Sequence, residues 1–96
     1  MDPIVDRFSA FLKLETAADE MKYTGAWDVG PNEQWNSELS PNSKNWFSRL
    51  PTVRLSTTME TPYFGLEDYS GKVSVPALLT LGESFARALI SFLPTL

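Results

Sequence analysis

Glu60, Glu67 and Asp68 come nearest to a catalytic pair, because glycosidase-like chemistry needs two carboxyls held about 5–9.5 Å apart. Sequence alone fixes no such separation, and acids dispersed over a solvated surface account for them more simply. Asp28, Asn32 and Glu33 offer oxygen ligands, but the ordered calcium-loop spacing with its central glycine is missing. The chain contains neither His nor Cys. Without His there is no usual general base near neutral pH, no commonest metal ligand and no Ser–His or Cys–His arrangement. Without Cys there is no disulfide, thiolate nucleophile, thiolate zinc site or iron–sulfur cluster. No Gly-rich phosphate loop, nucleophile elbow or internal repeat is present. The expectation is therefore a non-enzymatic chain with no catalytic residue, no cofactor and no metal.

Charge narrows the partners. Twelve acidic and eight basic residues give a formal charge of −4. The basic residues Arg7, Lys13, Lys22, Lys44, Arg49, Arg54, Lys72 and Arg87 stand singly. Nucleic-acid binding works by displacing counterions from phosphates with clustered cations, and no such stripe is visible. The N-terminal run MDPIVDRF has no basic region followed by an apolar one, so no signal peptide is expected. Asp2 stands where myristoylation requires Gly, and no Asn-x-Ser/Thr sequon occurs. These features suit cytosolic synthesis, followed by incorporation into a larger particle or complex.

Two helices and a long irregular segment frame the chain. At 96 residues and 43% hydrophobic, it has the size and apolar content of a single small unit. Asp2 and Pro3 form a capping start, and Ile4, Val5, Phe8, Phe11 and Leu12 recur on one helical face. A helix is predicted over about residues 3–21. Its apolar stripe fails after Leu14, so it bends there or its second half meets a different neighbour. The C-terminal region from Val73 is the most apolar, with Pro76 as a helix start, Thr80 to Glu83 as an alternative capping box, and Pro94 as a stop. A helix is predicted over about 77–93. Its polar residues Thr80, Glu83, Ser84, Arg87 and Ser91 form one narrow strip, with Glu83 and Arg87 spaced as a helical ion pair. Apolar side chains take the rest of the circumference, as in a helix buried on two sides or lying against lipid.

The middle, about residues 23–72, holds all three tryptophans, Trp27, Trp35 and Trp46. Short helical turns are expected behind Gly30-Pro31 and Ser40-Pro41, the second carrying Trp46, Phe47 and Leu50 and ending at Pro51. Thr52 to Thr57 alternates like a half-buried strand, with Lys72–Val75 as a marginal partner. So long a stretch without regular structure is uncommon inside a compact domain, yet its aromatics are unlike those of a disordered segment. The fold class that follows is mainly α, with amphipathic terminal helices joined by an irregular, Trp- and Pro-containing segment and at most short strands.

Phe8 and Phe11, Trp35 and Trp46, and Phe85, Leu89 and Phe92 are the residues expected at contacts with protein subunits of a larger assembly. A small component of a capsid-type shell or multisubunit complex matches the Ser/Thr/Asn/Pro-rich, aromatic middle in composition, though no motif carries the match. The second reading is a membrane-associated chain acting through Val75–Leu93. Spanning is disfavoured because Glu83 and Arg87 near the centre would each cost about 2.5–3.5 kcal/mol, roughly cancelling the apolar gain.

Overall fold

The computed structural model describes residues 3–26, 28–30, 33, 36–60 and 73–96. Three helices occur in order: α1 (Pro3–Glu15), α2 (Ser43–Ser48) and α3 (Val75–Phe92), followed by a 3-10 turn at Leu93–Thr95. No strand occurs among the described residues. The chain is mainly α, with long helices near both ends.

Helix α1 is shorter than its predicted span, and Thr16 supplies the reason. Its hydroxyl donates back to the Leu12 carbonyl at 2.9 Å and accepts the Tyr23 amide at 2.9 Å. Such back-bonding competes with helix continuation. The next bond, from the Ala17 amide to the Leu14 carbonyl, already has the tighter 3-10 spacing. The chain then turns, and Met21 packs with Ala77 and Leu81 near the start of α3. The loss of the apolar stripe after Leu14 thus marks the end of the helix rather than a bend within it.

Helix α3 begins two residues before its predicted start. Ser74 is the N-cap, its hydroxyl accepting the Ala77 amide at 3.2 Å, and Pro76 sits in the first turn. Thr80 lies inside the continuous helix, so its capping box goes unused. The chain closes in the turn containing Pro94.

Helices α1 and α3 run antiparallel: Arg7 bonds Thr95 at 2.7 Å, Glu15 pairs with Arg87 and Asp19 bonds Ser84. Phe8, Leu12, Ala88 and Phe92 form the core between them, with Ile4, Phe11, Tyr23, Leu55, Phe85 and Leu89 packed around it. The Phe8 ring meets Phe85 and Phe92 edge-on, with centroids 5.5 and 5.4 Å away, the geometry favoured by the aromatic quadrupole.

Asparagine side chains organise the middle segment. Asn42, not Ser40, caps α2, its Oδ1 accepting the Asn45 amide at 2.9 Å. Asn45 is buried and donates through Nδ2 to the carbonyls of Ser37 and Ser40, each at 2.8 Å. Asn36 likewise donates to the carbonyls of Val29 and Gly30, while its Oδ1 accepts from Lys44 Nζ at 2.6 Å. The predicted strand at Thr52–Thr57 is not formed: the segment has no ladder, Leu55 packs on the core, and Ser56 Oγ donates to the Lys44 carbonyl. Its proposed partner fails because Val75 opens α3, while Lys72 lies outside the described residues.

Candidate interaction surface

The polar groups between α1 and α3 are arranged as a clasp. Ser84 is fully buried; it donates to Asp19 Oδ2 at 2.5 Å and accepts from Arg87 Nη2 at 3.1 Å. Arg87 Nε reaches Glu15 Oε2 at 3.2 Å, whereas Glu83 Oε2 lies 4.0 Å from Nη1. The predicted Glu83–Arg87 pair is thus the looser one, and the main partner of Arg87 lies on α1. Every buried side-chain nitrogen and oxygen among the described residues has a hydrogen-bond partner. A Ser–Asp–Arg group paired in this way ties the two helices together.

Tyr23 forms the other polar centre. Its hydroxyl donates to Asp28 Oδ2 and lies 3.3 Å from Ser9 Oγ. Gly25, at φ +78°, makes the turn that brings Asp28 back; a side chain there would be strained by its backbone and would press on Lys13. Partial burial first, and the bond to Asp28 second, push the Tyr23 phenol up to about 12. Asp28 thus accepts a hydrogen bond from the Tyr23 hydroxyl, and no cluster of His, Cys, Asp or Glu able to hold a metal occurs among the described residues. Asn32, Glu67 and Asp68 lie outside those residues. A shallow groove beside α2, lined by Ser43, Phe47, Val53 and Leu55 among others, carries Lys44 as its one charged group, already bonded to Asn36.

The aromatic residues expected at an intermolecular contact are redistributed by the fold. Phe92 is 0% and Phe8 5% exposed, so both are consumed by the chain's own core. Phe11, Phe85 and Leu89 pack on the same core and are partly buried. Phe8 and Phe92 are thus spent on the chain's own core, while Phe11, Phe85 and Leu89 keep part of their surface exposed at its edge. Trp46 is 58% exposed and stacks edge-on with exposed Phe47 at 5.0 Å, so it remains available. Trp35 lies outside the described residues.

The unpartnered surface is on α3, around the helix from the core. Ala77, Leu81, Ser84, Ala88 and Phe92 are its buried positions. At 3.6 residues per turn, Val75, Leu79, Gly82, Ala86, Ile90 and Leu93 fall on one line roughly 150° around the helix, nearly opposite the buried face. All six are exposed, Leu79 at 66% and Ile90 at 71%. Sequence reasoning recognised that the apolar arc exceeds what α1 covers, but it assigned the contact to the bulkier aromatics. The strip of aliphatic and small residues at spacings of three and four was the signal that could have separated the two faces. No family model matches this chain, and no curated protein or solved structure shows significant similarity to it.

Proposed function

We propose that this chain is a non-enzymatic interaction protein, a small component that packs onto a larger assembly such as a capsid-type shell or a multisubunit complex. One observation carries the reading: the aliphatic strip on α3 runs the length of the helix, and none of its six residues is buried. Contiguous exposed apolar surface of this kind on a soluble domain marks an interaction site. The Trp46–Phe47 pair on α2 offers a second, aromatic point of attachment. Cytosolic synthesis and a protein rather than nucleic-acid partner belong to the same reading.

Membrane association through α3 is the alternative, favoured by one feature. The segment Val75–Thr95 is long and apolar enough to cross a bilayer by length and composition. Sedimentation of native extracts from cells making the chain tests the first reading. The chain should travel with a particle far larger than its own 10.8 kDa, and the double variant Leu79→Lys/Ile90→Lys should fall to the light fractions. Wild-type chain found only in the light fractions would overturn it. Liposome flotation tests the alternative: binding to phosphatidylcholine/phosphatidylglycerol vesicles, lost in the same variant, would replace an assembly by a lipid surface.

A further inference from the structure

The outer face of α3 has a pattern that is complementary to itself when one copy is reversed. Reading inward from the ends, Val75 answers Leu93, Leu79 answers Ile90, and Gly82 answers Ala86 about a point near Ser84. Large aliphatic residues thus meet large ones at the ends, while the smallest meet at the centre. A Cβ built on Gly82 would find nothing within 4 Å, so the centre is open to a close approach. Two helices crossing at an angle are closest at their centre and diverge toward their ends. Small residues in the middle and bulky ones outside fit that geometry.

Charge gives the direction. Glu83 and Arg87 flank the strip on one side, four residues apart. A two-fold axis between antiparallel helices keeps that flank on the same side of both copies, so Glu83 of each faces Arg87 of the other. A parallel arrangement would place the two flanks on opposite sides and form no such pair. The Glu83 carboxylate is mostly exposed and 4.0 Å from its own Arg87, which leaves it able to reach a second cation. Lipid is the poorer occupant. Interfacial helices rely on a polar face rich in Lys and Arg. Arg87 is the one basic residue of α3, and the chain carries −4 overall.

From these observations we infer that α3 docks on α3 of a second copy of this chain, antiparallel, with Gly82 and Ala86 at the crossing point. The inference rests on the reading of this face as a contact surface and names its partner. At about 1.5 Å per residue, Val75 and Leu93 lie about 27 Å apart along the helix. A strip that long and about 10 Å wide removes about 270 Å² from each copy, about 540 Å² in all, well below the ~1,200 Å² total at the low end of stable specific interfaces. The dimer is accordingly weak and transient.

The absence of native Cys makes the register directly readable. The ends of crossing helices diverge, so the link there must be longer than the ~7 Å between Cα atoms that a disulfide spans. A flexible bis-maleimide added to an equimolar mixture of the Val75→Cys and Leu93→Cys variants should give a mixed covalent dimer, while Val75→Cys alone should stay monomeric because its two copies lie at opposite ends. Sedimentation equilibrium of the purified wild-type chain from about 10 μM to about 1 mM should show its mass rising toward twice 10.8 kDa, and Leu79→Lys should hold it at the monomer with an unchanged circular-dichroism spectrum. Val75→Cys linking to itself, a wild-type chain monomeric at every concentration, or Leu79→Lys dimerising like wild type would each overturn the pairing. A monomeric purified chain that still travels with a large particle in extracts would refute the second copy alone and leave the assembly reading in place.

Discussion

The Tyr23 phenol links the start of the irregular segment to α1, and its chemistry makes that link pH-dependent. The bond to Asp28 and the partial burial both favour the neutral phenol, which is why its pKa rises from 10.0 to about 12. A group whose folded pKa exceeds its unfolded value holds more protons when folded. Its contribution is complete below pH 10, the unfolded value, and is lost as pH rises through about 12. The wild-type chain should therefore lose urea resistance across that window more steeply than Tyr23→Phe, which has no phenol to ionise. Ultraviolet absorbance of tyrosinate, compared between the two proteins, should show one late-titrating group missing from the variant. Superimposable titrations would mean that Tyr23 is solvated in the folded chain. Residue types alone did not disclose this bond, because Ser9, Tyr23 and Asp28 converge only after the chain has turned at Thr16 and Gly25.

At the scale of elements, α3 has two apolar faces that chemistry cannot distinguish and packing can. Truncating Phe92, which is fully buried between the helices, should cost about 3–5 kcal/mol as Phe92→Ala. A chain of this length is stable by only about 5–15 kcal/mol, so that variant should lose a large share of its urea resistance. Ile90→Ala, measured in dilute solution, should cost no more than about 0.5 kcal/mol because Ile90 faces water. Equal losses would show that both faces are covered within one chain. The helices themselves were legible in the sequence: Phe8 and Leu12 keep helical spacing, and Pro3 and Pro76 mark the starts. Their edges were less so. Thr16 ends α1 through a hydroxyl that bonds backwards, and nothing in the residue type separates this from a Thr carried inside a helix. The middle segment was misread for a related reason. The alternation of Thr52 to Thr57 matches a strand, but a strand needs a ladder partner. The expected partner at Lys72–Val75 does not supply one, because Val75 opens α3 instead.

At the scale of the whole molecule, the apolar side chains among the described residues exceed what two antiparallel helices can enclose. Two helices in contact shield one face each, and α3 is apolar over more than one face, so a strip from Val75 to Leu93 is left exposed. Binding of the folded chain to anything that ignores the unfolded chain raises apparent stability by mass action. A homotypic pair adds a particular signature, because its own concentration sets the stabilisation. The thermal midpoint of the wild-type chain should rise by several degrees between about 10 μM and about 1 mM, since about 1 kcal/mol moves a domain of this size by roughly 4–8 °C. Leu79→Lys should unfold at one midpoint over the same range and match the dilute wild type, because its side chain is exposed and contributes little to the single chain. Differential scanning calorimetry on both proteins decides the matter. A wild-type midpoint that does not move with concentration would mean that the strip stays hydrated when copies of this chain meet, so that its cover must come from a different surface.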